Sequence, residues 1–210
     1  MAQADSVFFR KWLLAGSLGL MLLSLAGFVW LNLRFSGKNV WGTDPAPPVL
    51  ARLPDFQLTT QAGQPFGLAD LRDKVWISDF IFTRCPGPCP RMTAQMAELQ
   101  RELADAPDLR LVSFSVDPEF DTPAVLSEYA GRFHANTKQW VFLTGDKKRI
   151  HALAQSGFLV GGVEDVTLHT TRFVLVDRQA RVRGYYDSTD EESLRRLLKD
   201  ARSLVRGAEV

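Results

Sequence analysis

The sequence predicts an α/β domain built on a mixed sheet and carried behind an N-terminal membrane-spanning helix. Three observations predict it: an uncharged apolar run near the N-terminus, a downstream alternation of strand and helix patterns, and two closing strand patterns spaced as a hairpin. At 210 residues, 46 % hydrophobic and 23 % charged, the composition is that of about one globular domain plus an appendage. The net charge of +1, without a basic tract interleaved with aromatics, argues against a nucleic-acid partner. Two cysteines cannot build the multi-bridge framework of a small secreted scaffold.

The appendage is "LLAGSLGLMLLSLAGFVWLNL", Leu13 to Leu33, whose only strongly polar interruption is Asn32. A helix needs about 20 apolar residues to cross a bilayer. A cleaved signal peptide is the alternative, but its apolar core would be shorter and a small-x-small cleavage site would follow. Residues 1–34 therefore read as an uncleaved anchor. The few residues ahead of the span leave no room for an Arg-rich transit peptide, which favours a bacterial membrane over an organelle. Arg10 and Lys11 before the span are matched by Arg34 and Lys38 after it, so charge bias does not orient it. Residues 35–53, rich in Gly and Pro and without hydrophobic period, read as a tether, and 54–206 as the folded domain.

Within that domain "KVWISDFIF", Lys74 to Phe82, is a near-continuous apolar run, as expected of a strand buried on both faces. A helix pattern over Pro88 to Ala104 places Met92, Met96, Leu99 and Leu103 on one side. "LRLVSFSV" is the next strand; Thr122 and Pro123 give an N-cap and first turn for a helix reaching about His134. "WVFLTG" is a strand and Asp146 to Gln155 a helix. "TRFVLVD" and "VRGYYD" form a hairpin across "RQA", and Asp190 to Val205 is the closing helix.

The chemistry concentrates in "DFIFTRCPGPCPRM", which holds both cysteines, Cys85 and Cys89. Residues four apart at a helix start lie one above the other, so both sulfurs can serve one small volume as a staple, a redox couple or a metal clamp. As a staple the pair would close a tiny loop and restrain the unfolded chain little. An exposed pair at a helix N-terminus, where the dipole favours thiolate, reads instead as functional. Pro86, Pro88 and Pro90 stiffen the loop and first turn, where missing N–H groups cost little. Asp79, inside the buried strand and six residues before Cys85, is either a proton relay to the thiols or a carboxylate bonded to backbone or to Arg84. Met92 and Met96 read as core, and "SVDPEFDTP" as a turn and helix cap. His134 suits a helix C-terminus, and His151 a solvated or boundary helix position. A lone His169 ahead of a strand is by itself most often a hydrogen-bonded structural residue.

A buried strand delivering a cysteine pair to a helix start resembles the thioredoxin-like fold. "FTRCPGPCP", "SVDPEFDTP" and "LHTTRFVLVD", in that order and behind an anchor, resemble the Sco/SenC family of membrane-anchored copper chaperones. One departure is Leu168, where many members carry an acidic residue before the His. The resemblance implies a thioredoxin-like fold and copper, as Cu(I) or Cu(II), bound by Cys85, Cys89 and His169. It also implies delivery to the Cu-A site of cytochrome c oxidase subunit II. Two thiolates and an imidazole suit copper, whereas a closed zinc site usually wants a fourth protein ligand. The competing class is a membrane-tethered thiol-disulfide oxidoreductase, peroxiredoxin-like enzyme or redox sensor using the same pair. Oxidoreductases of the fold usually place a proline where this chain has "LHTTRF", and their cysteines are Cys-x-x-Cys. An oxidase partner and a partner thiol reductase place the domain in the periplasm of a bacterial inner membrane, with the N-terminus cytoplasmic. Gly161 and Gly162 would let His169 move on and off the metal.

Overall fold

The computed structural model describes residues 21, 23–30, 46–160 and 170–207. The chain divides into two compact units, Met1–Asp44 and Pro45–Val210. In the first, residues 21 and 23–30 are helical, and the rest of the expected span lies outside the described residues. Among the described residues no helix is long and apolar enough to cross a membrane.

The second unit contains eight strands, β1 (Ala51–Arg52), β2 (Gln57–Thr60), β3 (Pro65–Gly67), β4 (Val75–Ile81), β5 (Leu109–Ser115), β6 (Trp140–Thr144), β7 (Arg172–Val176) and β8 (Arg181–Asp187), among its described residues. The helices are α1 (Cys89–Glu102), α2 (Pro123–Arg132), α3 (Lys147–Ala152) and α4 (Glu191–Val205). One sheet runs in the order β1-β8-β7-β4-β5-β6-β2-β3, parallel across β4, β5 and β6 and antiparallel toward both edges. The crossovers through α1 and α2 step along the sheet in one direction. Being of one hand, such connections put their helices on the same face.

Thr122 caps its helix as expected, and the first residues of the two later helix patterns, Asp146 and Asp190, prove to be caps as well. The Thr122 hydroxyl accepts from Val125 N, the Asp146 carboxylate from Arg149 N, and that of Asp190 from the N–H groups of Glu192 and Ser193. His134 follows α2 with φ +53°, the left-handed turn that ends many helices. Leu153–Gly157 continues α3 as a wider π turn.

Two corrections concern the domain's N-terminal part. The pattern reading assigned no strand before Lys74, yet β2 and β3 pair there and β2 borders β6. Both strands are too short for a period to show. And the stretch read as tether contributes β1: Ala51 lies opposite Val182, and Leu50 and Leu53 donate to Val182 O and Ala180 O.

Strand β4 is buried along its whole length and alternates sharply. Trp76 and Phe80 join β2, α3 and the π turn on one face through Leu58, Ile150, Leu153 and Phe158. Val75, Ile77 and Ile81 join α1, α2 and α4 on the other, through Met92, Met96, Leu126, Tyr129 and Leu197. Met92 and Met96, 1 % and 0 % exposed, are core residues, as their spacing suggested.

Candidate functional site

Strand β4 ends at Ile81, and the chain turns at once: Cys85 N donates to Phe82 O at 3.2 Å, with Thr83 and Arg84 at the centre of the turn. Gly87 N then donates to Cys85 Sγ at 3.4 Å, and α1 opens on Cys89 with Pro90 in its first turn. Neither cysteine is bridged in a disulfide. Cys85 lies close enough to Cys89 to perturb its thiol, so the two sulfurs serve one small volume.

The expected exposure is not. Cys85 is 6 % and Cys89 3 % exposed, packed into the core with Met92 and Phe173. The consequence is electrostatic. Burial pushes the Cys89 thiol up to about 12 against a backbone hydrogen bond from Phe82; the nearby Cys85 and Asp79 charges push the same way. The helix N-terminus was expected to favour thiolate, but one helix end is worth less than the desolvation of a buried sulfur.

Asp79 follows from the same alternation, on the cysteine face and fully buried. Neither carboxyl oxygen has a well-formed hydrogen bond among the described residues. Burial raises its pKa to about 7, and the Ser113 hydroxyl, opposite it in the β4–β5 register, offsets only part of this. Ser113 already accepts from Trp140 Nε1 at 3.0 Å. The alternative in which Asp79 is neutralised by Arg84 is excluded: Arg84 Nε pairs with Asp117 Oδ2 at 2.7 Å.

A second polar chain supports the first turn of α1. Thr93 donates to the Cys89 carbonyl at 2.9 Å, which uses its only hydroxyl hydrogen, so the bond at 2.9 Å between Thr93 and Tyr129 has the tyrosine as donor. Burial also raises the Tyr129 pKa, which keeps it a donor.

The residues that pattern reading missed lie in "SVDPEFDTP". Thr122 caps α2 as expected, but Asp121, fully buried, also accepts from Thr83 N, Thr83 Oγ1 and Ser115 Oγ. The four-residue spacing of Asp117 and Asp121 is legible in the sequence; their partners Thr83 and Arg84, more than 30 residues away, are not.

His169, Leu168, Gly161 and Gly162 lie outside the described residues. Strand β7 starts at Arg172 and runs antiparallel to β4, so it begins at the end of the sheet where β4 hands over to the cysteines. His151 sits at a helix boundary position with Nε2 buried and without a hydrogen-bond partner among the described residues. Among those residues no group of three His, Cys, Asp or Glu side chains is gathered as a metal site. Two adjacent sulfurs suit a soft, low-coordinate cation.

Residues 48–206 match the SCO1/SenC family model. The chain is 33 % identical over 184 residues to the SCO1 protein homolog of Bacillus subtilis (strain 168), covering 85 % of this chain and 93 % of that protein. It is similar to the solved structure of BsSco, a member of the Sco family of cytochrome c oxidase assembly proteins in which a disulfide switch was identified. The identity there is 32 %, the TM-score 0.69, and 78 % of this chain and 98 % of that one are covered. Bradyrhizobium japonicum ScoI, solved with copper bound, is 27 % identical with a TM-score of 0.60, covering 73 % and 99 %. The fold is thus the thioredoxin-like fold of Sco proteins.

Proposed function

This chain belongs to the SCO1/SenC family, and on that premise we propose that it is a copper chaperone of cytochrome c oxidase assembly. The carrying observation is the pair of neighbouring, unbridged thiols, Cys89 at the start of α1 and Cys85 in the turn that leads into it. Copper is the cargo, held by the two sulfurs with His169 as third ligand. Relatives solved with copper bound support the reading. Sulfur suits Cu(I), and an imidazole helps accommodate Cu(II).

The chain's own groups define what loading requires. Cys89 must give up its proton, and the Phe82 backbone hydrogen bond favours the resulting thiolate. Asp79, poised to titrate at about 7 on the same face, relays that proton out toward solvent on loading and back to the sulfur on release. The recipient is the Cu-A site of oxidase subunit II. A single pass through residues 1–34, N-terminus cytoplasmic, holds the domain in the periplasm of a bacterial inner membrane, where a thiol reductase keeps the pair reduced.

A second reading, a thiol-disulfide oxidoreductase or redox sensor, is favoured by the same sulfur pair and by the disulfide switch of BsSco. Titration of the reduced protein with Cu(I) and Cu(II) decides between them. One copper per chain with sulfur in its X-ray absorption shell is expected. Absence of stoichiometric binding, or a shell without sulfur, would leave the oxidoreductase.

A further inference from the structure

Cys85 leaves the sheet through a single turn, and each of the turn's two central residues is held by a different aspartate of the loop between β5 and α2. Thr83 gives both its backbone N–H, at 3.1 Å, and its hydroxyl, at 2.5 Å, to Asp121; Arg84 gives its Nε to Asp117 at 2.7 Å. The loop is itself knotted. Ser115 Oγ donates to Asp121 at 2.6 Å and accepts from Asp117 N at 3.2 Å, while Asp121 N donates to Asp117 O at 2.9 Å. Arg84 also lies over the Phe120 ring, 4.6 Å from its centroid.

Asp121 stands out because it is fully buried and none of its hydrogen-bond donors is cationic. A carboxylate taken out of water is tolerated only where hydrogen bonds replace its hydration. Most of that replacement comes from Thr83, two residues before Cys85. If the loop served only to cap α2, Thr122 would suffice, since its hydroxyl already accepts from Val125 N. Resting on the copper-chaperone reading, we infer that Asp121, through Thr83, is the positioning residue that sets Cys85 against Cys89, with Asp117 and Arg84 as its outer brace. The clamp fixes the sulfur separation before cargo arrives, so less ordering is left for the binding step.

The full-length protein tests this through four substitutions. Thr83→Val removes one hydroxyl while keeping shape and backbone N–H; Asp121→Asn removes the charge; Thr83→Ser keeps the hydroxyl. Ile150→Val, on the opposite face of the sheet, is a control for general loss of stability. Thr83→Val and Asp121→Asn are expected to weaken Cu(I) binding about 10-fold and to shift the midpoint potential of the Cys85–Cys89 pair. Thr83→Ser should match the parent in both, and Ile150→Val should lose stability without changing either. Parent-like affinity and potential in Thr83→Val would overturn the clamp, as would an equal loss in Ile150→Val. Should the parent itself bind no copper, the chaperone reading falls, and the potential alone then decides the clamp. Thr83→Val carries the test should Asp121→Asn not fold.

Discussion

The Arg183 guanidinium meets the Asp177 carboxylate at 2.7 Å with the two side chains 3 % and 4 % exposed, and Arg183 Nε reaches back to the Pro47 carbonyl at 2.6 Å. Burial raises the Asp177 pKa, but hydrogen bonds from Arg183, Arg181 and Gln179 outweigh it and hold the carboxyl below its ordinary value. A depressed acid stabilises the fold above its unfolded pKa of about 3.9 and loses that contribution as pH falls through the folded value. Asp177→Ala, which leaves Arg183 buried without its charge partner, should cost about 3–5 kcal/mol. Its stability deficit in denaturant titrations should shrink below about pH 4.

The same arginine makes the N-terminal boundary testable. A chain beginning at residue 45 keeps β1, Leu53 and the Pro47 contact; one beginning at residue 54 loses all three. The shorter chain should be less stable by about 3 kcal/mol or more, measured by urea unfolding. Equal stability would mean that β1 only decorates the sheet edge.

Asp79 should make the protein less stable as pH rises. Its folded pKa of about 7 lies above the unfolded one, so both states are protonated at low pH. The penalty grows from about pH 4, where only the unfolded chain ionises, and is complete above pH 7. Asp79→Asn should therefore gain up to about 4 kcal/mol at pH 8 and nothing at pH 3. A proton relay adds a kinetic sign: Cu(I) loading of Asp79→Asn near pH 7 should slow even though the fold is more stable.

Loading should release protons. With Cys89 held as a thiol by burial, thiolate-bound Cu(I) must displace its proton at pH 7. Calorimetry in buffers of different ionisation enthalpy should show at least one proton released per copper. Oxidation of Cys85 and Cys89 to a disulfide should abolish both binding and release until a reductant is added.

His169→Ala should weaken Cu(II) more than Cu(I), because two thiolates already satisfy a near-linear Cu(I) ion. Competition titrations with both ions would read the asymmetry. Equal retention of both would remove His169 from the site.

What the sequence determined by itself is what depends on neighbours along the chain. The apolar run of β4 and the caps Thr122, Asp146 and Asp190 follow from strand alternation and cap chemistry. Asp79 was identifiable as buried because its whole strand is. Tertiary structure alone decided the rest. The short strands β1 to β3 exist because longer strands offer them an edge, not because their own residues insist on it. The thiols are buried rather than exposed because α1 packs its first turn into the core, and desolvation there exceeds what a helix N-terminus returns. Thr83 and Asp121 meet only because β4 and β5 lie side by side and end together, with Ile81 opposite Ser115, which brings residues 38 apart in sequence within hydrogen-bonding distance.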